Sequence, residues 1–171
     1  MAIRDPVVLT YQVVTRNDVA YPYNADVYFP ETKPHEACPL LVYFHSGGLT
    51  AGSRQRNSWF PHWLLRECLQ AGLAFIAADY TLLGPGTAHD MVRDVKRLFW
   101  WIQHELNLEL GKHGGSKVSP ERVVVAGESA GGYLAYLSGV HAEPKPRAIA
   151  SLYGMGGDFL SDHYLIRKTA V

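Results

Sequence analysis

Hydrophobic and polar positions change period along this chain. From residue 40 onward, short continuous apolar runs alternate with longer segments whose apolar positions recur every three or four residues. The runs at 40–44, 73–78 and 148–153, and the stretch Val123-Val124-Val125-Ala126, have the character of strands covered on both faces. Between the first two, 59–71 places Phe60, Trp63, Leu64 and Cys68 on one side of a predicted helix that Gly72 stops. Met91, Val92, Val95, Leu98, Phe99, Ile102 and Leu106 form an apolar stripe that predicts one long helix over 87–110. Arg93, Asp94, Lys96 and Arg97 fall largely off that stripe, and Gly111 with Gly114-Gly115-Ser116 is expected to end the helix. A third helix is predicted over 130–141, broken by Pro144 and Pro146. Upstream, 7–14 and 25–29 read as a strand pair, with Asn17-Asp18 and Pro22 as turn chemistry, and 158–168 is compatible with a last helix. The alternation predicts an α/β fold: a mostly parallel sheet with helices on both faces, led by an antiparallel N-terminal pair. No internal repeat or interdomain linker is visible, so one domain over 1–171 is expected.

Composition narrows the function classes. The 171 residues are 47% apolar, enough for a proper core. Sixteen basic residues balance sixteen acidic ones, which gives no electrostatic case for nucleic acid or an anionic membrane surface. No apolar run approaches transmembrane length, and Arg4-Asp5-Pro6 near the start is unlike a signal peptide. Cys38 and Cys68 follow no C-x-x-C spacing and read as free packing thiols of a reducing compartment, so a cytoplasmic location is expected.

The candidate chemistry centres on Gly127-Glu128-Ser129-Ala130-Gly131-Gly132, which follows a β-branched run and opens a helix. A G-x-S-x-G segment in that context is a nucleophile elbow: a sharp turn exposes the serine hydroxyl. Glycines at 127 and 131 let neighbouring backbone pass without a Cβ in the way. The helix N-terminus aims N–H groups at charge developing near Ser129. Acyl transfer also needs donors for the tetrahedral oxyanion. Ala130, after the serine, supplies one, and the Gly-rich segment His45-Ser46-Gly47-Gly48 at another strand end suits the rest. Other motifs fail. His104-Glu105 lacks the second histidine of a zinc helix, the glycines of 111–117 match no phosphate loop, and Trp100-Trp101 reads as core packing. No metal or organic cofactor is implied.

On these residues the chain resembles the α/β-hydrolase fold, and within it the hormone-sensitive-lipase-like esterases. His45-Ser46-Gly47-Gly48 is similar to the family's H-G-G-G with Ser46 for the first glycine, and the elbow matches G-[DE]-S-A-G-G. Ala78-Asp79-Tyr80-Thr81-Leu82 resembles the D-Y-R-L segment, with Thr81 where arginine is usual. The resemblance implies a catalytic Ser129, an oxyanion hole of Gly47, Gly48 and Ala130, a supporting role for His45, and a small ester or lactone as substrate.

The acid and base are the gap. In this fold they follow the serine in the order Asp/Glu then His, and only 42 residues follow Ser129. Asp158 and Asp162 are weak candidates for the acid, as are His141 and His163 for the base. Two alternatives stay open: a truncated or degenerate hydrolase without activity of its own, and a non-enzymatic small-molecule binder. A chain stopping here is expected to leave a sheet edge exposed and to self-associate.

Overall fold

The computed structural model describes residues 3–31, 37–55, 58–84 and 86–156. They form a six-stranded sheet with helices on both faces, as the alternation predicted. In chain order the elements are β1 (Val7–Arg16), β2 (Val19–Tyr28), β3 (Cys38–Phe44), α1 (His62–Gln70), β4 (Ala74–Ala78), α2 (Ala88–His104), α3 (Leu106–Lys112), β5 (Val118–Glu128), α4 (Ala130–His141) and β6 (Ala148–Leu152). The strand order is β1-β2-β4-β3-β5-β6. β1 pairs antiparallel with β2 and β2 with β4, whereas β3, β4, β5 and β6 run parallel.

Strand alternation sorts the apolar runs onto two faces. Leu40, Val42, Phe44, Ile76, Val123 and Val125 meet Val95, Leu98, Phe99, Ile102 and Leu134 of α2 and α4. Their neighbours Leu41, Tyr43, Phe75, Ala77 and Ala126 face Leu65, Cys68 and Leu69 of α1. Of the expected stripe, Phe60 and Cys68 are buried and Leu64 packs against the same cluster, but Trp63 is 56% exposed, and the i, i+4 pair Leu65 and Leu69 also seats the helix. Both thiols are free and buried. Among the described residues no helix is long and apolar enough to cross a membrane.

Other departures have local causes. β2 starts at Val19, so the turn is Asn17-Asp18 alone, both at positive φ, as a two-residue hairpin demands. Pro22 sits inside the strand opposite Val13, in the half of β2 that β4 does not reach, so its missing N–H costs no pairing there. A bulge between Thr10 and Gln12 accompanies a buried Tyr11, whose hydroxyl donates to the Asp79 carbonyl at 2.7 Å. Thr87 caps α2 in a capping box with Asp90. The predicted long helix divides at Glu105, which leaves helical geometry (φ −120°), and Gly111 lies within α3 rather than ending it. Of the two tryptophans, Trp101 is core, but Trp100 is 46% exposed under the Arg97 guanidinium. The tail segment 158–168 lies outside the described residues.

Asp94 also departs from expectation by pointing inward. It is buried, accepting the Thr81 N–H at 2.7 Å and the Gln12 amide at 2.5 Å. Burial outweighs those bonds and raises its pKa. The folded chain thus holds this proton more tightly than the unfolded chain does. The stabilisation is complete below the ordinary carboxylate pKa and is lost as pH rises through the folded value. Asp94→Asn keeps the Thr81 bond, and a flipped Gln12 amide restores the other. The variant is expected to gain stability relative to the parent between pH 3.5 and pH 7, read from paired urea midpoints; an unchanged difference would contradict the assignment.

Candidate active site

β5 ends at Glu128 and α4 begins at Ala130, so Ser129 alone makes the turn. Its backbone is at φ 50°, ψ −113°, a region that side-chain-bearing residues occupy only under constraint. The constraint is visible on both sides. The Ser129 N–H donates to the Leu152 carbonyl at 3.0 Å, and its own carbonyl accepts N–H groups of Gly132 at 3.0 Å and Met155 at 2.8 Å. A Cβ on Gly127 would lie 2.0 Å from the Gly131 carbonyl oxygen, and one on Gly131 would lie 2.0 Å from the Phe44 carbonyl oxygen. The elbow thus closes on itself and on the end of β3. Ser129 is half-buried, and Ala130 opens α4 with an N–H that no intrahelical carbonyl takes.

β3 pairs with β5 through Phe44 and Gly127, which sets the His45–Gly48 segment beside the elbow. Gly47, Gly48 and Leu49 all have positive φ (121°, 63° and 63°), and the Gly47 carbonyl accepts the Thr50 and Ala51 N–H groups at 3.1 and 3.0 Å. His45 is buried and stacked on Tyr80, ring centroids 4.3 Å apart. Its Nδ1 lies 2.7 Å from the Ser46 carbonyl, which only accepts, so Nδ1 carries the proton. Burial lowers the His45 pKa, against the opposing pull of its bond to the Ser46 carbonyl and of Asp79, and so favours the neutral ring. The Tyr80 hydroxyl donates to the His45 carbonyl at 2.8 Å, a tie the sequence signalled only through the Asp79-Tyr80 segment. Glu128 is buried and accepts the Tyr43 hydroxyl at 3.0 Å, consistent with a structural role.

Ser129, Ala130, Gly47 and Gly48 therefore gather at the C-terminal ends of two adjacent parallel strands, the usual site position in such sheets. His141 closes α4, about 18 Å along the helix from the serine, and is not brought to it. Asp158, Asp162 and His163 lie outside the described residues. Among the described residues no cluster of three or more His, Cys, Asp or Glu side chains is placed to hold a metal ion.

The BD-FAE family model matches residues 25–155, a stretch that includes β3, the glycine segment and the elbow. The chain belongs to the BD-FAE family. It is 32% identical over 138 residues to the probable carboxylesterase M8 of Phoma sp., covering 78% of this chain and 43% of that protein. Over 98 residues it is 33% identical to the carboxylic ester hydrolase LipN of Mycobacterium tuberculosis, covering 57% of this chain and 24% of LipN. The propionate-bound Est2 esterase of Thermogutta terrifontis superposes with a TM-score of 0.61 at 25% identity, covering 87% of this chain and 54% of Est2. The fold and the esterase/lipase kinship expected from the motifs are those of the α/β-hydrolases. The chain spans about half the length, or less, of these relatives.

Proposed function

We propose that this BD-FAE chain is the nucleophile-bearing part of a serine hydrolase acting on carboxylic esters, with a small acyl ester or lactone as substrate. The observation that carries the reading is the strained backbone of Ser129 at the mouth of the sheet. Ser129 Oγ attacks the ester carbonyl carbon and gives up its proton to a base. The carbonyl oxygen takes the negative charge and accepts N–H groups of Gly47, Gly48 and Ala130, each such donor contributing about 3 kcal/mol. On collapse of the intermediate the leaving alkoxide takes the proton back from the base and departs as the alcohol, and water hydrolyses the remaining acyl-serine to the carboxylic acid, restoring the Ser129 hydroxyl. His45 is committed to the loop and His141 to the far end of α4. Neither is offered as the base, and the acid and base of the triad stay unassigned in this reading. Labelling by a fluorophosphonate, with Ser129→Ala as control, tests the assignment.

A second reading, binding of a small molecule without turnover, is favoured by a cleft of about 460 Å³ beside the glycine segment, walled by Arg16, Tyr21, Tyr23, Tyr80 and Leu82. Saturable ligand affinity without labelling would select it. The free thiols Cys38 and Cys68 support a cytoplasmic location.

Self-association belongs to the same reading. β6 pairs with β5 on one side and with no strand on the other among the described residues, and Ile149 is 38% exposed. A strand at the end of a sheet templates further pairing when nothing covers it. Size-exclusion chromatography is expected to show concentration-dependent oligomers; a monomer at all concentrations would contradict the expectation.

A further inference from the structure

Arg54 lies within the connection between β3 and α1 that begins with His45, and its guanidinium is forked between two carboxylates. Nε donates to Asp26 Oδ1 at 2.7 Å and Nη1 to Asp79 Oδ2 at 2.8 Å. The Arg54 backbone N–H also reaches Asp79 Oδ1, at 3.4 Å. The side chains are 12%, 5% and 22% exposed for Arg54, Asp26 and Asp79, so water screens this cluster weakly. Asp79 Oδ2 is itself oriented by the Asn24 N–H at 3.1 Å. One loop residue is thereby tied to β2 and to the end of β4.

We propose that Arg54 is a positioning residue for the oxyanion cradle, acting through the loop backbone rather than on substrate. The proposal rests on the reading of Gly47 and Gly48 as that cradle. The path from Arg54 to the glycines is short and made of contacts. A Cβ on Gly52 would lie 2.5 Å from both His45 Nδ1 and the Ser46 carbonyl oxygen, so the returning limb of the loop rests directly on its starting limb. The Gly47 carbonyl then closes the tip through Thr50 and Ala51. Asp79 and Tyr80, consecutive in sequence, hold the two limbs: Asp79 grips Arg54, and Tyr80 bonds and stacks on His45. A shift of residue 54 is transmitted through Gly52 to His45-Ser46 and so to the amides of Gly47 and Gly48. Misplacing catalytic donors by an ångström costs up to about a hundredfold in rate.

The test uses Arg54→Lys, which retains a positive charge between the carboxylates but not the planar fork, with Arg54→Met as a harsher companion. Two readouts are taken on the full chain: amide hydrogen exchange of 45–54 against β3 and β5, and fluorophosphonate labelling of Ser129 resolved into binding and inactivation steps. Arg54→Lys is expected to speed exchange in 45–54 alone, with the urea midpoint and strand protection nearly unchanged. The inactivation step should slow by about tenfold or more with reagent binding unaltered. Arg54→Met removes the guanidinium from both carboxylates and should also lower the urea midpoint. Wild-type loop exchange and labelling in Arg54→Lys would overturn the proposal, as would loss of protection spread evenly over the chain. If the wild-type serine does not label, the Ser129 reading fails, while the exchange pattern still decides the clamp.

Discussion

Ser129→Ala should give a chain that folds like the parent and that no fluorophosphonate labels, with any turnover of p-nitrophenyl acetate lost in the same step. The fold is expected to survive because the elbow is held through the backbone of residue 129: its N–H donates to Leu152, and its carbonyl accepts from Gly132 and Met155. Alanine makes all three bonds. The removed hydroxyl is the only atom that the chemistry requires there. Removal of a nucleophile typically costs a serine hydrolase about a millionfold in turnover, so the expected effect is complete loss within detection. Alanine at this φ carries the same strain that serine does, so the urea midpoint should move little. Labelling that persists in Ser129→Ala would place the reactive group elsewhere and remove the assignment.

Gly127→Ala is expected to destabilise the chain by about 3 kcal/mol or more, by disrupting the geometry that Ser129→Ala preserves. The added methyl would lie 2.0 Å from the Gly131 carbonyl oxygen, 2.2 Å from its carbon and 2.7 Å from Gly132 N. All three atoms are backbone at the start of α4, so no side chain can swing away. Relief requires the helix to move off β5, and Gly131 is in turn pressed on Phe44 and His45. Gly111→Ala is the matched control. Gly111 lies in the last turn of α3 and an added methyl meets nothing within 4 Å, so helix propensity should make that change stabilising, by less than the roughly 1 kcal/mol of a helix interior. Urea midpoints of the two variants should move in opposite directions; a tolerated Gly127→Ala would mean that the elbow is looser than described.

Local constraints were the part of this molecule legible from sequence. An elbow needs glycine within two or three residues of its serine, and strands buried on both faces need unbroken apolar runs, so both are written into short windows. Features made by distant residues left no such mark. Tyr11 turns inward at a bulge to reach Asp79, and Asp94 leaves its expected polar face for the Thr81 amide. Arg54 sits 28 and 25 positions from its two carboxylates in a loop that reads as ordinary polar sequence. On α1 only Trp63 departs from the expected face, for a related reason. Phe60 and Cys68 are buried as expected, whereas the large Trp63 projects outward and the smaller Leu65 and Leu69 fit against Phe75 and Ala77.

The central claim concerns where the Ser129 oxygen faces, and a crystal structure of the fluorophosphonate-treated chain tests it most directly. The account predicts phosphorus bonded to Ser129 Oγ, with the phosphoryl oxygen about 3 Å from the backbone nitrogens of Gly47, Gly48 and Ala130. A phosphoryl oxygen turned to solvent, or an adduct on another residue, would contradict it.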